Sequence, residues 1–247
     1  MKTNNNFIIY EDDSILVISK PAGMLTIPDR YDSEAANLKQ DLEGIYGKIF
    51  VVHRLDKDTS GIMVFCKDAE SHKHLNGQFQ ENKVDKLYHV VVSGIVQQDE
   101  IDIDIPIIAD PAVKGKSKPS AKGKESLTKL KVVERFRVAT FVECDLISGR
   151  HHQIRVHCAA IGHPLLVDRL YGKNSEFFLS TIKRKYNLKK NTEEIPVINR
   201  VTMHSFSIGF HHPVTNERMD FEAPYPKDFN ALLNVLRKYS GFGNLAF

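Results

Sequence analysis

Cysteine is scarce: Cys66, Cys144 and Cys158 are odd in number and widely spaced, which excludes a disulfide framework as the source of stability. Each lies in an apolar context, where a buried free thiol is expected. No apolar stretch approaches the roughly 20 residues of a membrane-spanning helix. The start, MKTNNNFIIYEDD, lacks the charged-then-apolar order of a secretory leader. The expectation is therefore a protein of the reducing cytoplasm with no membrane association. Neither sign of charge dominates, since 34 Lys and Arg against 31 Asp and Glu leave a formal net charge of +3. Total charge thus selects no partner. Zinc-site spacing is missing too: no Glu stands between a helical His pair, and no paired cysteines accompany the histidines.

What is present is a chain of 247 residues, long enough to bury a real core. Its positive charge is local. From Lys114 to Lys131 seven lysines face Glu125 alone, and Lys183-Arg184-Lys185 with Lys189-Lys190 forms a second run. Such runs attract polyanions through counterion release, and solvated loops carry them as well.

Apolar runs, and period-two alternation at Ile101–Ile105, predict strands at Ser14–Ser19, Ile49–Val52, Ile62–Cys66, Leu87–Val92, Ile101–Ile105, Leu127–Phe136, Ala139–Ile147 and Val201–Phe210. Helices are predicted over Ser33–Tyr46, Ala69–Phe79, Gly149–Ala160 and Phe229–Tyr239. Pro111–Lys124 reads as a flexible loop and Lys173–Pro196 as a polar excursion. Strands outnumber helices and the connections are irregular, which gives an α+β fold with a mixed, largely antiparallel sheet. No repeat and no linker stands out, so one domain over 1–247 is expected.

Three constellations could carry chemistry. His53-Arg54-Leu55-Asp56, followed by Asp58-Thr59-Ser60-Gly61, is a charged cluster between two apolar strands, where a scaffold presents functional groups. The same residues also make a good turn. Gly149-Arg150-His151-His152-Gln153-Ile154-Arg155-Val156-His157 places, at helical spacing, Arg155 one turn from His151 and His152. Arginines at a helix start oppose the macrodipole and suggest an anionic partner, although salt-bridged surface arginines also fit. Tyr88, opening a strand in Lys86-Leu87-Tyr88, is either half-buried packing or a platform for a nucleobase.

Together these segments resemble one family. HRLDKDTSGIMVFCKD is similar to the catalytic motif of the RluA-type RNA pseudouridine synthases. KPAGMLTIP, KLYHVVVSG, SGRHHQIRVHCAAIGHPLLVDRLYG and MHSFSIGFHHPVTNERMDFEAPYP resemble further family segments in the family's order. The region 173–196 is not covered by a matching motif. The family often has Thr where His151 stands and Gly where Val167 stands, departures that bear on substrate fit.

The resemblance implies flanking helices and loops around a central cleft, a single catalytic domain with a basic loop at 110–125, and no separate N-terminal RNA-binding domain. It implies isomerisation of specific uridines in ribosomal or transfer RNA, by a monomer, with no metal and no cofactor. Asp56 would be the essential carboxylate, held ionised by Arg155, and Tyr88 would stack on the uracil. Arg54 would displace the base and Ile154 would wall the pocket, with His53, Arg150, His152 and Gln153 also binding substrate.

Overall fold

The computed structural model describes residues 7–29, 32, 34–188 and 192–242. They fall into two compact units that interleave in sequence. One holds the described residues up to Leu87 together with His204–Pro224; the other holds Tyr88–Met203 and the chain from Tyr225 on.

The first unit is built on β1 (Ile8–Glu11), β2 (Ile15–Lys20), β3 (Phe50–Val51), β4 (Ser60–Cys66), β11 (Met203–His211) and β12 (Arg218–Glu222). β2 runs antiparallel to β4 from Ile15↔Cys66 to Lys20↔Gly61, while β1 covers β2, β3 pairs β4 and β12 pairs β11. A short parallel contact, His204↔Ser60 and Ser205↔Gly61, joins β11 to β4. All seven residues of β4 are buried, as expected of a strand covered on both faces rather than one. The core is Ile15, Val17, Ile62, Val64, Leu75, Ile208 and Phe210 with their neighbours.

Two helices flank this sheet. α1 (Leu38–Tyr46) starts where the Asn37 side chain accepts the Gln40 amide, and α2 (Ala69–Gln80) where Asp68 accepts that of Ser71. The helix expected from Ser33 therefore begins five residues later, Ser33 itself lying outside the described residues.

The second unit contains β5 (Asp85–Ser93) from Tyr88 on, β6 (Glu100–Asp104), β9 (Leu127–Arg135) and β10 (Ala139–Leu146), in the order β5-β10-β9-β6. β9 is antiparallel to both neighbours. Lys129 and Lys131 lie opposite Asp102 and Glu100, so part of the first basic run meets cross-strand carboxylates. α4 (Lys227–Ser240) buries Phe229, Leu232, Leu233 and Leu236 at helical spacing against Val91, Phe136, Phe141 and Val167.

Two expectations need correction here. Pro111–Lys124 is not wholly a loop: β7 (Ile107–Ala109) and β8 (Ser117–Pro119) pair antiparallel, with Ser117 buried. The helix expected from Gly149 begins at Gln153, as α3 (Gln153–Ala160), because His152 at φ 57° takes the left-handed conformation. His151 and His152 are therefore outside the helix and do not share a face with Arg155 as helical neighbours. The polar excursion at 173–196 returns to the core through buried Phe177, which exchanges backbone hydrogen bonds with Val197 and Ile198. Lys189 and Lys190 lie outside the described residues.

Candidate active site

In the first unit the segment His53–Thr59 runs between β3 and β4 without regular structure, and its main chain is clamped from behind by the segment after β2. Lys20 is 1% exposed, and its ammonium donates to the carbonyls of Pro21, Met24 and Lys57 at 3.0, 2.8 and 3.0 Å. Three carbonyl acceptors match the three ammonium protons, which makes burial of a charged group tolerable. The Gly23 amide reaches the same Lys57 carbonyl at 2.9 Å. Thr26 Oγ1 donates to the Leu55 carbonyl and accepts from the Leu55 amide, at 3.1 and 3.3 Å. Asp56, half-buried at the middle of this loop, closes a turn by accepting the Thr59 amide at 3.1 Å. The arrangement holds a carboxylate on a fixed backbone, which reactions at a single sugar or base atom require.

The flanking residues divide by exposure. Arg54 is exposed and Leu55 is buried. His53 stacks on Phe79 of α2, with centroids 4.9 Å apart, and its Nε2 accepts the Val64 amide at 3.1 Å. Burial, with Lys86 nearby, pushes its pKa down to about 3, so the ring is neutral and works as an acceptor. The Thr59 hydroxyl is fully buried and makes no hydrogen bond among the described residues, a cost of about 1–3 kcal/mol carried three residues from Asp56.

In the second unit Tyr88 opens the local part of β5 and is 6% exposed. α3 supplies Gln153, Ile154 and Arg155, all buried. Gln153 is a hub: its Oε1 accepts from Ser148 Oγ and the Arg150 amide, and its Nε2 donates to the Leu127 carbonyl and Thr128 Oγ1. It thereby ties the SGR turn that precedes α3 to β9, while the helix start itself has no side-chain cap. Arg150 is exposed and donates through Nε to the Glu125 carbonyl at 3.1 Å.

Arg155 makes a bidentate pair with Asp168, Nε to Oδ2 at 2.7 Å and Nη2 to Oδ1 at 2.9 Å. Burial alone would raise the pKa of Asp168. The Arg155 hydrogen bonds and charge, with the Leu170 and Tyr171 amides, outweigh it and hold the carboxyl below its ordinary value. The arginine at the helix start is thus met by a protein carboxylate that sequence spacing did not reveal.

The three histidines of this segment are engaged in different contacts. His157 directs Nδ1 at Thr128 Oγ1 and Nε2 at the Ile105 carbonyl, so both ring nitrogens are committed. His151 and His152 stack on each other at 3.8 Å, and among the described residues no three His, Cys, Asp or Glu side chains are grouped to hold a metal. No helix among the described residues is long and apolar enough to cross a membrane.

The fold is shared with solved RNA pseudouridylate synthase domains. Human RNA pseudouridylate synthase domain containing 4 superposes with a TM-score of 0.70 at 21% identity, covering 94% of each chain. Human domain containing 1 gives 0.68 at 23%, covering 95% of this chain and 96% of the other. In sequence, the family model for RNA pseudouridylate synthase matches residues 14–160. An uncharacterized RNA pseudouridine synthase of Aquifex aeolicus is 37% identical over 243 residues, 94% of this chain and 73% of that protein. Ribosomal large subunit pseudouridine synthase D of Pseudomonas aeruginosa is 36% identical over 236 residues, 94% of this chain and 72% of that one.

The chain belongs to the RNA pseudouridine synthase family, and within it to the RluA type. It is an isomerase that converts uridine in RNA to pseudouridine.

Proposed function

We propose that the substrate is large-subunit ribosomal RNA and that Asp56, on its clamped loop, is the catalytic carboxylate. The observation that carries the catalytic assignment is the Lys20–Thr26 clamp, which fixes the main chain on both sides of Asp56. In the reaction the bond from ribose C1′ to uracil N1 breaks, the base turns, and C1′ joins C5; the C5 proton leaves to solvent and N1 takes one up, so the product is an isomer of the substrate. Asp56 attacks the sugar or removes a ribose proton, and either task needs the ionised carboxylate. Arg155 supplies positive charge for it, Tyr88 stacks on the displaced uracil, Ile154 walls the pocket and Arg54 fills the gap in the RNA stack. Extruding the base costs a few kcal/mol, and stacking on an aromatic ring returns about 1–3 kcal/mol.

The ribosomal assignment rests on the printed function of relatives such as the Pseudomonas aeruginosa enzyme. Mapping pseudouridine across all cellular RNAs, with and without this protein, tests it. Loss of a site in large-subunit ribosomal RNA is expected; loss confined to transfer RNA would overturn it.

The enzyme works as a cytoplasmic monomer, and its isomerisation, which has no net redox change, requires neither a metal nor an organic cofactor. Activity is expected to survive exhaustive EDTA treatment. Inactivation by the chelator, reversed by added zinc, would reject that reading.

RNA phosphate is held in part by the β7–β8 hairpin and the turn after it. Lys118 pairs with Asp110 at 3.2 Å and Lys116 lies over the Tyr171 ring, whereas Lys114, Lys122 and Lys124 are exposed. Replacing those three by Ala should weaken RNA binding and flatten its salt dependence. Each single-stranded phosphate contact contributes a slope of roughly 0.7 in log affinity against log salt, so losing two is measurable by titration. Superimposable titrations for variant and wild type would place the binding surface elsewhere.

A further inference from the structure

Tyr171 joins two parts of the second unit that the sequence keeps far apart. Its ring lies 5.0 Å from the Arg155 guanidinium carbon, and its backbone amide donates to Asp168 Oδ1 at 3.1 Å, the same carboxylate that holds Arg155. Asp168, Arg155 and Tyr171 therefore close a three-membered cycle in which each fixes the other two. A guanidinium against an aromatic face is attracted by the ring's quadrupole and loses rotational freedom. Gly172 completes the turn: a Cβ there would sit 2.9 Å from the Asp168 carbonyl oxygen.

The hydroxyl of the same tyrosine faces the hairpin. It accepts the amide of Ser117 in β8 at 2.8 Å, and it lies 2.9 Å from His152 Nδ1. Which of the two donates in the His152 contact follows the His152 tautomer, since a hydroxyl that has accepted one amide can still donate its proton or accept a second. Ser117 is tied a second time, through Oγ to His151 Nδ1 at 3.0 Å, and Lys116 Nζ stands 5.4 Å from the Tyr171 ring centre. Buried Ser117 is thus the point at which the basic hairpin is fastened down.

We propose that Tyr171 is a positioning residue with two separable parts: the ring orients Arg155 for the reaction, and the hydroxyl anchors the hairpin that holds RNA phosphate. This rests on the catalytic role of Arg155 and on RNA binding by the hairpin.

Tyr171→Phe keeps the ring and removes the anchor. It should raise KM for RNA about tenfold through weaker phosphate contact, lower the salt slope, and leave kcat within about threefold. Hydrogen exchange at the Ser117 amide should quicken at the same time. Tyr171→Leu removes both parts and should lower kcat a further hundredfold, roughly the effect of misplacing a catalytic group by an ångström. A merely structural role would lower both variants together without splitting KM from kcat.

Equal kcat in the Phe and Leu variants overturns the ring assignment, and a wild-type salt slope in Tyr171→Phe overturns the anchor. Arg155→Lys, run in parallel, separates the premise: if it keeps wild-type kcat, the catalytic role of Arg155 fails. If it is inactive while Tyr171→Leu is fully active, only the Tyr171 proposal fails. Should Tyr171→Leu not fold, the Phe variant decides alone, an unchanged salt slope and unchanged Ser117 exchange counting against the proposal.

Discussion

Asp56→Asn is expected to abolish isomerisation while leaving RNA affinity within about tenfold, or about 1.4 kcal/mol. Asn matches Asp in size and shape but is neither a nucleophile nor a base at neutral pH. The fold should survive the exchange, because the clamp grips this loop by its main chain. Lys20 and Gly23 take the Lys57 carbonyl, Thr26 takes both polar groups of the Leu55 backbone, and the Asp56 carbonyl accepts the Thr59 amide. Release of tritium from C5-labelled uridine in RNA measures turnover, and filter binding measures affinity on the same preparation. A loss of at least about a thousandfold in kcat is expected for a group that makes or breaks bonds. Turnover within tenfold of wild type would remove Asp56 from that role. Lost binding with a lowered melting temperature would instead mark it as a structural residue.

The elements that the sequence disclosed were those whose information is local. β2 and β4 are written as continuous apolar runs and α4 in its helical periodicity, and α2 begins at an Asp that caps it. What the sequence concealed depends on residues far apart. α3 starts late because His152 turns left-handed and Gln153 satisfies groups on β9 more than 20 residues away. The β7–β8 hairpin looked like a loop because a three-residue strand with Pro, Gly and Lys around it has no periodicity. It is held by Tyr171, 54 residues from Ser117 in the chain. No linker marked the two units because two of the three junctions, Leu87–Tyr88 and Met203–His204, fall inside β5 and β11, and the third, Pro224–Tyr225, lies in the short connection between β12 and α4.

The candidate site shows the same division. His53-Arg54-Leu55-Asp56 could be read as chemistry or as a turn, and only family resemblance chose between them. The clamp behind it could not be read at all, since a lysine in sequence is a surface residue until three carbonyls are found around its ammonium. His53 enters the substrate site through the resemblance alone, and its stack on Phe79 and its bond from the Val64 amide could not be read from the sequence. Asp168 drew no notice, because the carboxylate that pairs with Arg155 is 13 residues distant and outside any helical spacing.

Gly61→Ala should be the most damaging small substitution in the first unit. Gly61 ends the Asp58-Thr59-Ser60-Gly61 part of the motif, at φ +120°, where an L side chain is strained by about 1–3 kcal/mol. An added Cβ would also stand 2.6 and 2.7 Å from Ser205 N and C, and closer still to its carbonyl oxygen, all main-chain atoms of β11. Main chain cannot swing aside, so β4 and β11 must separate where Ser60↔His204 and Gly61↔Ser205 pair and where Ser60 Oγ meets His204 Nδ1 at 2.9 Å. Overpacking of this kind adds roughly 1–3 kcal/mol or more, bringing the total to about 2–6 kcal/mol against a stability of typically 5–15. At about 2–4 °C per kcal/mol for a chain of this size, the melting temperature should fall by roughly 5–20 °C. Gly209 provides the control. A Cβ there also meets atoms too closely, but they are the side-chain ends of Arg218 and Asp220 on the exposed face of β12, which can rotate away. Gly209→Ala should therefore shift the midpoint by only a few degrees. Equal shifts for the two alanines would show that main-chain closeness at Ser205 is not what demands a glycine after Thr59-Ser60.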